Sequence, residues 1–168
     1  MSTEPGNTPE KRPALTVTTS QQIMVSVLSG AVLAFLLLKA VELANWPPPL
    51  VPWSVSIVLV AIGAGVLWYL RSFTSRLEAH RVPSDEAVRA LVLGKSMLMT
   101  GAVLAGGHLV YVLLWIGQTD IPGPRERVIH GAVTLVTAIG FAVVGGALEK
   151  ACVVDINDSD GPGQPAAS

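Results

Sequence analysis

Of 168 residues, 51% are apolar and 14% charged, and 11 Lys or Arg stand against 12 Asp or Glu for a formal net charge of −1. That balance leaves no basic excess for nucleic acid, and apolar runs of this length exceed what so small a soluble domain could bury. The single cysteine, Cys152, excludes an internal disulfide and lacks the companions that a metal or redox site needs.

Residues 1–20, MSTEPGNTPEKRPALTVTTS, are rich in Pro, Thr, Ser and Glu and show no apolar periodicity. Such a segment cannot bury enough surface to offset its ordering entropy, and it is read as a disordered tail. The first apolar run, Ile23 to Trp46, meets the roughly 20 residues that a helix needs to cross a bilayer. It is longer than a signal-peptide core and offers no pair of small residues for cleavage between Lys39 and Trp46, so it is read as a retained anchor. NWPPPLVPW follows, and its three consecutive prolines fix φ and remove backbone donors, predicting a tight turn into a second span. Trp46 and Trp53 bracket that turn, where indole rings favour the headgroup zone.

The second run covers Trp53 to Leu70, and no Gly or Pro interrupts the chain beyond it until Pro83. Helix 2 is therefore expected to continue into water and end near Arg81, because residues before proline leave the α region. Ser84 is a good N-cap, with Asp85 and Glu86 in the first turn where the helix dipole favours acid. Residues 71–89 thus read as a helical hairpin leading into a third span, Ala90 to Gly117. The fourth run is Val128 to Leu148, and residues 153–168, acidic and containing Gly and Pro, read as a second disordered tail. The reading is an all-α integral membrane protein: an antiparallel up-down four-helix bundle over residues 21–152, in contact with the lipid bilayer.

Orientation follows the Lys and Arg of short connections. Arg71, Arg76, Arg81 and Arg89 lie between helices 2 and 3, with Lys11, Arg12 and Lys150 on the same side, whereas the other side holds Arg125 and Arg127. Both termini are expected in the cytoplasm of a multi-pass protein of the cell membrane. The four arginines form a basic face that attracts anionic lipid and could dock a partner.

Small residues recur at intervals of four: Ser26, Gly30 and Ala34; Ala61 and Gly65; Gly101 and Ala105; Ala138, Ala142 and Gly146. Such rows let backbones approach in lipid, with Gly30, Gly65, Gly101, Ala105 and Gly146 as the packing candidates. Packing within the chain is the expected use, and a homo-oligomer through one of these faces is the alternative.

Ionisable groups inside spans are costly and therefore candidates for function. Near the outer face these are Lys39, Glu42, His108, Tyr111 and His130. Lys39 and Glu42, three apart on one helix, can pair while reaching for the headgroups. At about 100° per residue, Gly94, Met97, Thr100, Gly101, Leu104, His108, Tyr111 and Trp115 share one side of helix 3, which is expected to look into the bundle, with Lys95 nearly opposite His108. Lys95 and Glu149 match in depth near the inner face and are expected to form a structural ion pair. Two histidines without further ligands fall short of a metal site. No nucleophile motif, phosphate-cradling loop or broken-helix repeat is present, so no catalytic residue or cofactor is expected.

The segments PPPLVPW, LVLGKSMLMTGAVLAGG and ALEKACVV together resemble an actinobacterial family of four-span membrane proteins of unknown function. On that resemblance Lys95, Ser96, Gly101, Ala102, Ala105 and Gly106 match the family's third-helix stretch, and Leu148, Glu149 and Cys152 match its terminal LE-x-x-C segment. Where such proteins carry basic residues after the cysteine, this chain has Val153, Val154 and Asp155. The resemblance implies the topology and brings no activity with it. From the residues, the expected function is a non-enzymatic accessory or scaffold of the cell envelope that meets a membrane-protein partner through its basic hairpin. The alternative is a small ion- or proton-coupled permeation unit using His108.

Overall fold

The computed structural model describes residues 18–47, 50–78, 84–118, 120 and 122–159. Four long helices account for almost all of them: α1 (Ser20–Leu43), α2 (Trp53–Glu78), α3 (Ser84–Trp115) and α4 (Pro122–Ser159), with a short 3-10 turn (Ile116–Gln118) closing α3. All four are long and apolar enough to cross a bilayer, over Ser20–Leu43, Trp53–Ser72, Val88–Gln118 and Pro122–Cys152. The chain is a multi-pass membrane protein built as an all-α four-helix bundle.

Local chemistry sets the helix ends. Thr19 caps α1, and its backbone N–H donates to the Gln22 side-chain oxygen at 3.2 Å. α1 stops at Leu43, three residues before the expected Trp46, because Asn45 turns left-handed with φ 53°. Its N–H then reaches Glu42 O at 3.1 Å while that of Trp46 reaches Val41 O at 3.1 Å, the paired bonds of a Schellman ending. Asparagine tolerates that conformation better than most residues. α2 continues past Leu70 as expected, and α3 begins at Ser84, one residue from the expected start. The expected stop near Arg81 and the tail over residues 1–17 lie outside the described residues.

α4 is longer than expected at both ends. Pro122 opens it because the first helical position requires no N–H donor. It continues through Ser159, beyond the tail boundary expected at 153, since the first glycine and proline there are Gly161 and Pro162. With 32 and 38 residues, α3 and α4 extend about 48 and 57 Å, well past a hydrocarbon layer of about 30 Å.

Neighbours in space are not neighbours in sequence. α3 packs along α4, α1 lies on α3, and α2 lies on α4, whereas α1 and α2 make no helix-to-helix packing despite their short connection. The prolines thus make the connection short without bringing its two helices together. Leu59, Met97, Ala138 and Phe141 form one core, and Ala90, Leu91, Leu148 and Cys152 a second, with Val66, Tyr69 and Leu70 of α2 packed against the latter. α2, α3 and α4 therefore share a core. α1 stands outside it and buries only Gly30.

Glycine decides where backbones touch. A methyl on Gly30 would strike the Val103 backbone and one on Gly106 the Val27 backbone, so α1 and α3 meet at these two residues. Gly94 and Gly145 do the same between α3 and α4, where an added carbon would lie 2.8 Å from Glu149 N and 2.6 Å from Leu98 N. Gly101 meets Ala138 O and Ala142, and Ala105 packs against the first core, as expected of both. Gly65 has nothing within 4 Å and faces outward, and Gly146 makes only ordinary contact with Leu98 at 3.7 Å. Gly65 corrects the expectation, because α2 turns the side bearing Leu59 and Val66 to the core and leaves Gly65 toward lipid.

Candidate functional site

Polar side chains within the bundle fall into two levels. At the end holding both termini, Glu149 is 1% exposed, and its Oε1 accepts the backbone N–H of Thr18 at 2.6 Å and the Thr18 hydroxyl at 2.7 Å. Both bonds are short. They tie the segment before α1 to the end of α4, across 131 residues of sequence. The expected pair with Lys95 is not formed among the described residues: Glu149 takes Thr18 on one oxygen and has no hydrogen-bond partner on Oε2. Helix geometry explains the correction. Gly94 is the α3 residue seated on the Glu149 backbone, and Lys95, the next along, is turned about 100° away.

The exposed arginines sit toward the same end. Arg71 and Arg89 are on the surface of α2 and α3, Arg76 lies on α2, and Arg81 lies outside the described residues. Beside them the Tyr69 hydroxyl donates to Glu86 Oε1 at 3.0 Å and links α2 to α3.

At the opposite level the expected candidates separate into different tasks. His130 Nδ1 donates to the carbonyl of Val51 at 2.9 Å, and its ring lies 4.5 Å from that of Trp53 at 57°. It anchors the start of α2 to α4. One turn further on, Thr134 donates to His130 O at 2.9 Å and shares a buried 2.8 Å contact with the Ser56 hydroxyl. His108 instead bonds its own helix, with Nδ1 to Leu104 O at 2.8 Å. Since a carbonyl only accepts, Nδ1 carries a proton.

His108 and Tyr111 line a cavity of about 390 Å³ between α1 and α3, whose other walls include Gly30, Leu37, Val51 and Gly107. Next to it a second cavity of about 700 Å³ holds Lys39, Glu42, Asn45, Trp115 and Gln118. Lys39 Nζ lies 2.7 Å from Glu42 Oε2, so the expected pair is present, with side chains 50% and 70% exposed. Arg127 covers the Trp115 ring at 4.7 Å from its centroid. The structure thus brings together His108 with Tyr111 and Lys39 with Glu42, while His130 holds Val51, a wall residue of the His108 cavity.

Thr18 and the Ser56–Thr134 link were not among the residues singled out from sequence. Thr18 falls in a stretch without periodicity, and the two hydroxyls stand alone in apolar surroundings. Only the depth match of Ser56 and Thr134, each one or two turns into its span, offered a signal.

The arrangement is that of a four-span helical membrane protein whose spans are held together by small residues and a few internal hydrogen bonds. Residues 23–155 match the model of a family described as protein of unknown function (DUF3180), and the chain belongs to that family. No curated protein and no solved structure matches it.

Proposed function

We propose that the protein is a non-enzymatic accessory or scaffold of the cell membrane, with both termini in the cytoplasm, whose arginine-bearing end meets another envelope protein. The observation carrying this reading is that polar groups within the spans are used to hold the bundle. His130 secures Val51, Ser56 secures Thr134, and Glu149 secures Thr18. None of these three is left as one step of a path across the bilayer. The chemistry presented outward is then that of Arg71 and Arg89, beside helices that extend beyond the hydrocarbon layer.

A photoreactive residue in place of Arg89, activated in native membranes, is expected to yield one discrete protein adduct. That adduct should vanish when Arg71→Glu and a charge reversal of neighbouring Arg76 are combined with it. Adducts with lipid alone would end the scaffold reading.

The second reading, a small ion- or proton-coupled permeation unit, is favoured by His108 and Tyr111 sharing a cavity. It has less support because the walls around them are almost wholly aliphatic. Proton flux in liposomes that is unchanged by His108→Ala counts against it.

A further inference from the structure

α1 and α3 run in the same direction with a constant offset: Ser26 touches Met99, Gly30 meets Val103, and Ala34 meets Gly107. Continued away from the termini, that offset sets Leu38 beside Tyr111, Glu42 beside Trp115 and Asn45 beside Gln118. Large side chains replace small ones along this stretch, and a cleft replaces the close contact. Its deep part is the apolar cavity of about 390 Å³, its shallow part the polar cavity of about 700 Å³, and Leu38 lines both. Since α2 does not pack on α1, no helix fills the cleft.

We propose that this cleft binds a glycerophospholipid whose headgroup carries both a phosphodiester and a primary ammonium. The deep part takes an acyl chain, and the shallow part takes the headgroup. Charge selects the class. Lys39 and Glu42 present one cation and one anion side by side on the wall of the shallow part. A zwitterionic headgroup answers both, with phosphate oxygens on the Lys39 ammonium and its own ammonium on the Glu42 carboxylate. An anionic headgroup would leave Glu42 facing a second negative charge, and a quaternary ammonium has no N–H to give it. Trp115 of α3 stands on the opposite wall of the shallow part, with Arg127 over its ring.

The test uses the full chain in bilayers of equal parts phosphatidylethanolamine, phosphatidylcholine and phosphatidylglycerol. After extraction in mild detergent, native mass spectrometry counts the lipid retained. Phosphatidylethanolamine should be enriched about fivefold over either competitor, the upper range for one exposed ion pair. Lys39→Gln with Glu42→Gln, on an exposed helix surface where folding is not at stake, should bring the three to parity. Leu38→Trp, which fills the neck between the two parts, should lower retention of all three. Equal or greater retention of either competitor, enrichment that survives the double substitution, or unchanged retention in Leu38→Trp would each overturn the proposal.

Discussion

Single side chains couple distant stretches of this protein. The Ser56–Thr134 contact is buried between α2 and α4. Hydrogen bonds between membrane helices are worth about 0.6 kcal/mol on average, since the separated helices also find partners. Ser56→Ala should therefore lower stability by about that amount in reversible unfolding from mixed micelles. His130 does more, because its ring also packs on Trp53. His130→Phe keeps the ring and loses the bond to Val51, so a cysteine replacing Leu50 should react faster with a water-soluble maleimide in that background. What was legible at this scale was the level of each group: Glu149 and His130 were placed near opposite faces of the bilayer, and they lie at opposite levels of the bundle. Glu149's partner was not legible. Lys95 matched it in depth but not in angle around α3, and Thr18 lies 131 residues away in a stretch with no pattern to flag it.

Helix packing is decided by which glycines meet another backbone. At Gly30 the Val103 backbone occupies the space of a side chain, whereas at Gly65 that space is open. Gly30→Leu should push α1 from α3 and destabilise the fold by about 1–3 kcal/mol or more, as overpacking does in other cores. Gly65→Ala should leave the melting temperature unchanged, and the two variants compared in one thermal scan make the contrast. The intervals of four residues marked every row of small side chains, but a row of this kind reads the same whether it faces a helix or lipid. Helix ends were legible to within a turn where Ser84 marked them. They were missed by more at α4, where Pro122 can open a helix as readily as it can end one.

The molecule as a whole is three helices around a shared core with α1 applied to the outside of α3. Four spans bring the start of α1 and the last part of α4 to one side, and the Thr18–Glu149 bonds join them there. Four spans and their alternation were legible from apolar run lengths because the bilayer demands them. Adjacency was not, since a short connection limits how far α1 and α2 can separate without requiring that they pack.

The spatial order of the helices is tested most directly by disulfide formation in a chain lacking Cys152. A Cβ on Gly107 would lie 3.5 Å from that of Ala34, within the range of about 3.5 to 4.5 Å that a disulfide spans. Ala34→Cys with Gly107→Cys should therefore crosslink rapidly in membranes under mild oxidation, while Ala34→Cys with Ala61→Cys on α2 should not. Crosslinking of the second pair in preference to the first would contradict the order of helices described for this protein.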